Sequence, residues 1–209
     1  MKIINIVNSF IGKRGNIGLR TSYIINELNK QNIDNFSYSR GVVDDYKNNN
    51  KNMGIFGHIP RILNAYRIYF NLWYNHRKHD ILLFEQFFKF SFNDIESDKK
   101  IAHVWESSPK IIQTLKDKGY ITILDVPIAP TATAQYLIDN FSDSIILHPL
   151  NHADILERRS YEVVNYIITP SVFVRDEIIK LGIDKNKIFT TSFGTELKDG
   201  YKKEFNKDY

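Results

Sequence analysis

A few polar residues stand where apolar runs stop, and their types and positions suit chemistry. Glu106 closes the run 100–105 (KIAHVW) and is followed by Ser107 and Ser108. It can hydrogen-bond a ligand hydroxyl, or sit exposed at a helix start, where the helix dipole favours a carboxylate. Asp125 closes the run 120–124 and precedes a small, hydroxyl-rich stretch, 129–134, that contains Thr131. Ser171 follows the run 166–169 and Pro170, and Gly194 follows the run 187–192. Gly12, Gly15 and Gly18 punctuate a loop after the first apolar run, with Lys13, Arg14 and Asn16 between them. Amides exposed at the start of the next helix can bind phosphate. Lys13 and Arg14 can add charge-assisted contacts to it or stay solvated. The spacing is neither GxGxxG nor a P-loop, since no Lys-Ser/Thr pair closes it.

The six histidines make no convincing metal pair. His148 and His152 straddle Pro149 without a third ligand nearby, and His103, inside an apolar run, is expected to be buried and hydrogen-bonded rather than catalytic. Cysteine is absent, which excludes disulfides and thiolate metal sites. No metal is expected.

These residues need elements to hold them. Residues 3–7 are apolar and β-branched, as in a parallel strand covered on both faces. After the glycine loop, Leu19, Tyr23, Ile24 and Leu28 recur at helical spacing. Residues 35–39 read as a second strand and 41–57 as a polar loop. Residues 58–79 read as one amphipathic helix with Ile59, Ile62, Leu63, Tyr66, Tyr69, Phe70 and Trp73 on an apolar face. Arg61, Arg67, Arg77 and Lys78 decorate it, and no acid occurs from Tyr46 to His79. Such a helix covers a sheet, or attaches to an anionic membrane surface through Arg61, Arg67, Trp73 and Arg77, or does both.

Residues 80–84 (DILLF) read as a third strand ending at Glu85-Gln86, 100–105 as a fourth and 120–124 as a fifth. Ser108 and Pro109 open a helix that Gly119 ends. Further helices are expected around 135–140 and over 151–164. The last unit is strand 166–169, a helix to Leu181 closed by Gly182, a turn at 184–186 and strand 187–192. Strand and helix alternate, so the expected fold is α/β: a Rossmann-like, doubly wound, mostly parallel sheet with helices on both faces. In such sheets ligands sit outside the C-terminal strand ends. That collects 12–18, Glu85-Gln86, 106–108, 125–133, Ser171 and Gly194 into one candidate site.

Size and charge fit this reading. The chain has 209 residues, 43% hydrophobic and 25% charged, which is ordinary for a soluble globular protein. No run approaches the roughly 20 apolar residues that span a bilayer, and the first run is too short for a signal peptide. A net charge of +4 does not imply nucleic acid, and none is expected as a partner.

The terminal stretch 157–196, ERRSYEVVNYIITPSVFVRDEIIKLGIDKNKIFTTSFGTE, resembles the end of the N-terminal domain of GT-B glycosyltransferases of the large retaining family four. Glu157, Tyr166, Ile167, Pro170, Ser171, Phe173, Gly182, Lys187 and Gly194 carry the likeness, and HVWESSPKIIQTLKDKGYITILDV and the N-terminal glycine loop also fit. The resemblance implies a nucleotide-sugar donor and a glycan or lipid-linked acceptor as substrates, with no cofactor. It implies donor-phosphate contacts at Arg14, Gly15 and Asn16. It implies an acceptor cleft at Glu106, Ser107, Asp125, Thr131, Ser171 and Gly194. Some relatives follow this Asp with Gly-Ser and a His; Val126-Pro127-Ile128 stands here instead, so no catalytic His is assigned. Residues 1–196 would be the N-terminal domain and 197–209 the start of an interdomain linker. The C-terminal domain, which carries most of the donor site, would be absent or supplied by a separate partner. The chain alone would then be inactive. It is expected to be cytoplasmic, with peripheral attachment to the inner face of the membrane as the option that the basic helix over 58–79 opens. The alternative is a non-catalytic Rossmann-like module that binds a ligand or a protein. A dinucleotide oxidoreductase is the weaker reading, because GxGxxG is missing and Ser39-Arg40 stands where strand two should end in an acid.

Overall fold

The computed structural model describes residues 1–12, 17–43, 49–70, 76–94, 96–141 and 151–192. The elements are β1 (Lys2–Ile11), α1 (Ile17–Lys30), β2 (Asp34–Val42), β3 (Asn50–Asn52), α2 (Ile59–Tyr69), α3 (His76–Ser91), β4 (Lys100–Val104), α4 (Pro109–Asp117), β5 (Ile121–Asp125), α5 (Thr131–Phe141), α6 (Asn151–Val163), β6 (Tyr166–Thr169), α7 (Val172–Lys180) and β7 (Ile188–Thr190). Short 3-10 turns lie at Gly54–His58 and Lys185–Lys187. The strands form one seven-stranded sheet in the order β3-β2-β1-β4-β5-β6-β7, and every pairing is parallel. This is an α/β, Rossmann-like fold. The chain winds outward from β1 to β3, crosses back, and winds outward again from β4 to β7. The topological switch therefore lies between β1 and β4, where such sheets open a ligand crevice.

Side-chain alternation divides the core between the two faces. On one face Ile4 and Ile6 of β1, Ala102 and Val104 of β4, Leu124 of β5 and Ile167 of β6 pack with residues of α3, α4 and α7. On the other face Val7, Ile11 and Trp105 pack against Ile25 of α1. Beyond α1, that second face leaves Ile121, Tyr166 and Phe189 about half exposed.

The terminal unit forms as its punctuation dictates. The Ser171 side chain caps α7 by accepting from the Val174 amide, and Gly182 ends the helix with φ +88°. Ser108 caps α4 in the same way, with Pro109 at its first turn and Gly119 at φ +79° after it.

Four expectations change. Residues 80–84 are not a strand: they lie inside α3, whose Ile81, Phe84, Glu85 and Phe88 are buried. Those positions recur at helical spacing, and the 16-residue length favours helix over strand. The single helix over 58–79 is instead two, because α2 stops at Tyr69 and α3 starts at His76. Residues 41–57 are not simply a loop: β2 runs on to Val42, β3 adds an edge strand, and the 3-10 turn follows. Finally, α1 buries Gly18, Thr21, Ser22 and Ile25, whereas Tyr23 is 47% exposed. Small side chains let this helix approach the sheet closely.

Candidate functional site

The sheet delivers its C-terminal strand ends side by side, and two polar networks occupy the ends around the switch point. The first centres on Asn8. The β1–β2 register shifts between Val7 and Phe10, so Asn8 sits at a bulge, a device that re-aims side chains beside sites. Its Nδ2 donates to Oε2 of Glu106, past the end of β4, at 3.0 Å. Its Oδ1 accepts from Arg40 of β2, at 2.8 Å from Nη2 and 3.2 Å from Nε. Arg40 in turn pairs with Asp80 of α3. Glu106 is 7% exposed, and its Oε1 accepts from the Ser107 amide at 3.0 Å.

The second network lies on the α1 face. Asp125, at the end of β5, is 3% exposed. Its Oδ1 is 3.3 Å from Nη1 of Arg20 in α1, and its Oδ2 is 3.3 Å from Nε2 of His103 in β4. The Arg20 guanidinium lies 5.1 Å from the centre of the Trp105 ring, within cation–π range. The His103 ring lies 4.8 Å from the same indole. Burial lowers the Arg20 pKa, and the Asp125 carboxylate opposes that shift. Trp105 is 4% exposed, and its Nε1 has no hydrogen-bond partner among the described residues.

The expected site residues divide accordingly. Glu106, Ser107 and Asp125 come to the switch-point edge of the sheet. Asp125 is a buried ion-pair partner rather than an open carboxylate. Thr131 is engaged at the start of α5, where its amide and hydroxyl donate to the two carboxylate oxygens of Glu157, at 2.8 and 2.7 Å. Ser171 spends its hydroxyl on the α7 cap. Gly15, Asn16, Arg14 and Gly194 lie outside the described residues, although Gly12 N–H donates to the Gly18 carbonyl at 3.1 Å and draws the ends of the first loop together. Trp73 also lies outside them, and the side chains of Arg61, Arg67 and Arg77 are not described. His103 is buried and hydrogen-bonded as expected.

Sequence patterns missed Asn8, Arg20, Arg40 and Asp80, which meet only through tertiary pairing. Glu85 is not a loop residue: from within α3 it accepts from the Ser108 hydroxyl at 2.7 Å. Two described cavities, of about 640 and 450 Å³, adjoin this contact on the α3–α4 side and share Glu85, Lys110 and Gln113. Neither is lined by Asn8, Glu106 or Asp125. Among the described residues no group of three His, Asp or Glu converges as a metal ion requires, and no helix is long and apolar enough to cross a membrane.

The chain resembles two solved structures. One is the UDP-GlcNAc 2-epimerase of Methanocaldococcus jannaschii, 15% identical, with 91% of this chain and 45% of that one aligned and a TM-score of 0.49. The other is the apo form of the lipopolysaccharide outer core galactosyltransferase WaaB, 14% identical, with 95% and 47% aligned and a TM-score of 0.48. The chain thus spans about half the length of each. No family model and no curated protein matches it. Its fold assignment rests on the strand order, not on these likenesses.

Proposed function

We propose that the chain is the acceptor-side half of a GT-B glycosyltransferase. It would hold a glycan or lipid-linked acceptor while a sugar moves to it from a nucleotide-sugar donor. The observation that carries this reading is the Asn8–Glu106 pair at the switch point. A sugar presents neighbouring hydroxyls, each both donor and acceptor, and a carboxylate beside an amide can satisfy both roles. The likeness of the terminal β-α-β unit to glycosyltransferase N-terminal domains supports the same substrate class.

In this reading the amides of Gly15 and Asn16 and the Arg14 guanidinium would offset leaving-group charge on the donor diphosphate. Glu106 already accepts from Asn8 and the Ser107 amide, and the neighbouring carboxylates are paired as well. Asp125 is held by Arg20 and His103, and Asp80 by Arg40. This half therefore binds and orients, and retaining transfer needs a facing half, on the same chain or on a partner. We expect no transfer by the 209 residues alone, no cofactor, and no metal.

Calorimetric titration of acceptor glycans and nucleotide-sugars tests the reading. Glycan binding that Glu106→Gln weakens about tenfold, the worth of one charged hydrogen bond, is the expected result. Failure of every glycan and nucleotide-sugar to bind would overturn it. The same locally held carboxylates also suit a non-catalytic ligand-binding module. Glycan binding that never responds to a donor, even with a complementary half present, would favour that second reading.

A further inference from the structure

A buried carboxylate stands between the two cavities on the α3–α4 side. The larger cavity, about 640 Å³, opens where α3, α4 and α6 converge, and the smaller, about 450 Å³, lies between α3 and α4. Ile81, Leu82, Ile155, Leu156 and Val163 give the larger one an apolar wall. Its helices are pinned to one another. The Ser108 hydroxyl at the head of α4 donates to Oε1 of Glu85 in α3 at 2.7 Å, and Nζ of Lys116 in α4 donates to the Val163 carbonyl at the end of α6 at 2.6 Å. The cavity is therefore preformed, and its size is that of a small-molecule site.

Glu85 decides what chemistry this site takes. Its side chain is 6% exposed, and its Oε2 is buried and receives no hydrogen bond among the described residues. The Lys110 ammonium lies 3.5 Å from that oxygen, but the Lys110 side chain is 74% exposed and can turn out into water. A buried acceptor left without a donor costs free energy, and a charged one costs more. A carboxylate only accepts, so a ligand that relieves the cost must donate. An ammonium donates and carries the opposite charge. The other charges lining the larger cavity, on Lys110, Arg159 and Glu162, are exposed, so solvent weakens their hold on any ion.

We propose that the cavity between α3, α4 and α6 binds a small amphipathic amine, with its ammonium displacing Lys110 from Glu85 and its hydrocarbon lying against α6. The site is independent of the sugar reading, because Glu106 lines neither cavity. Calorimetric titration of the full chain with n-hexylammonium, hexanol and hexanoate tests it. Hexylammonium should bind, and the other two should bind at least about tenfold more weakly, the worth of one charged hydrogen bond. Butylammonium should lose about fourfold for each methylene removed. Glu85→Gln keeps an acceptor for Ser108 and should weaken hexylammonium about tenfold. Lys110→Ala changes an exposed residue and removes the competing cation, so it should tighten hexylammonium about two- to fivefold. Melting temperatures of the ligand-free variants separate lost binding from lost folding, and Lys110→Ala decides alone if Glu85→Gln does not fold. Hexanol or hexanoate binding as tightly as hexylammonium overturns the proposal. So does an affinity for hexylammonium that neither substitution changes, or the failure of both alkylammonium ions to bind.

Discussion

The Asn8 amide joins Arg40 to Glu106: it donates to the Glu106 carboxylate at 3.0 Å and accepts from the Arg40 guanidinium at 2.8 Å. Three strand ends, from β1, β2 and β4, are thereby tied by one side chain. Glu106 lies 98 residues from Asn8 in the chain, so the tie exists only once the sheet has formed.

Asn8→Asp isolates the donor half of that tie. The new carboxylate keeps the contact with Arg40 but places like charge against Glu106. We expect a loss of about 1–3 kcal/mol at neutral pH, from the lost hydrogen bond and the repulsion. A like-charge pair raises the folded-state carboxyl pKa, so the loss should shrink below about pH 5, as one of the two takes a proton. Urea denaturation of both proteins at neutral and acidic pH measures this. A penalty that does not vary with pH would mean that the two groups do not interact.

Arg20→Met tests the second network. It leaves the Asp125 carboxylate, 2% exposed, with His103 but without its guanidinium. Breaking one side of a buried pair costs about 3–5 kcal/mol; Arg20 is itself a quarter exposed, so about 2–3 kcal/mol is the expected loss. Asp125→Asn should recover much of it in the double variant, because the uncompensated charge is then gone. Denaturant midpoints of the two single variants and the double variant close the cycle, and strict additivity would show that Arg20 and Asp125 are not coupled.

The sequence was most legible where local chemistry fixes an end. Ser108, Ser171, Gly119 and Gly182 each act within one turn of their own position, and each marks the helix end that it forms. The run 80–84 misled because five apolar-rich residues fit a strand as well as a helix. Only the continuation through Glu85, Phe87 and Phe88 separates the two, and Glu85 looked like a boundary because it is charged. It is buried, accepting from Ser108 and lying 3.5 Å from the Lys110 ammonium. At the site, Glu106 and Asp125 were legible as polar residues that stop apolar runs. Their partners Asn8, Arg20 and Arg40 were not, since no spacing rule links residues that meet through parallel strand order.

Gly57→Ala tests how firmly the turn before α2 is seated on β2. The added methyl would meet the Arg40 backbone at 2.2 Å, and a backbone oxygen cannot turn aside as a flexible side chain can. The turn must lift from β2, and overpacking of this kind typically costs about 1–3 kcal/mol. Thermal denaturation reads the loss, and limited proteolysis should show faster cleavage around 54–58. A melting temperature equal to wild type would mean that the turn already stands off the strand.

Tyr38 couples folding to alkaline pH through its raised phenol pKa. Its ring is 2% exposed in the aromatic cluster with Phe36, Phe88 and Phe92. Its hydroxyl accepts from the Asn93 amide at 3.0 Å and lies 3.4 Å from the Asn93 carbonyl oxygen. Burial raises the phenol pKa, opposed by the hydrogen bond at Asn93 and reinforced by Asp94. The folded state therefore holds its proton more tightly than the unfolded chain does. The resulting stabilisation is fully present below the unfolded value of about 10, and it is lost as pH rises through the higher folded value. Tyr38→Phe should cost about 1 kcal/mol at neutral pH, because the Asn93 amide loses its acceptor. It should also flatten the fall in stability between about pH 10 and 12. Denaturant titrations across that range measure both effects, and equal alkaline slopes for the two proteins would show that the Tyr38 phenol does not supply this coupling.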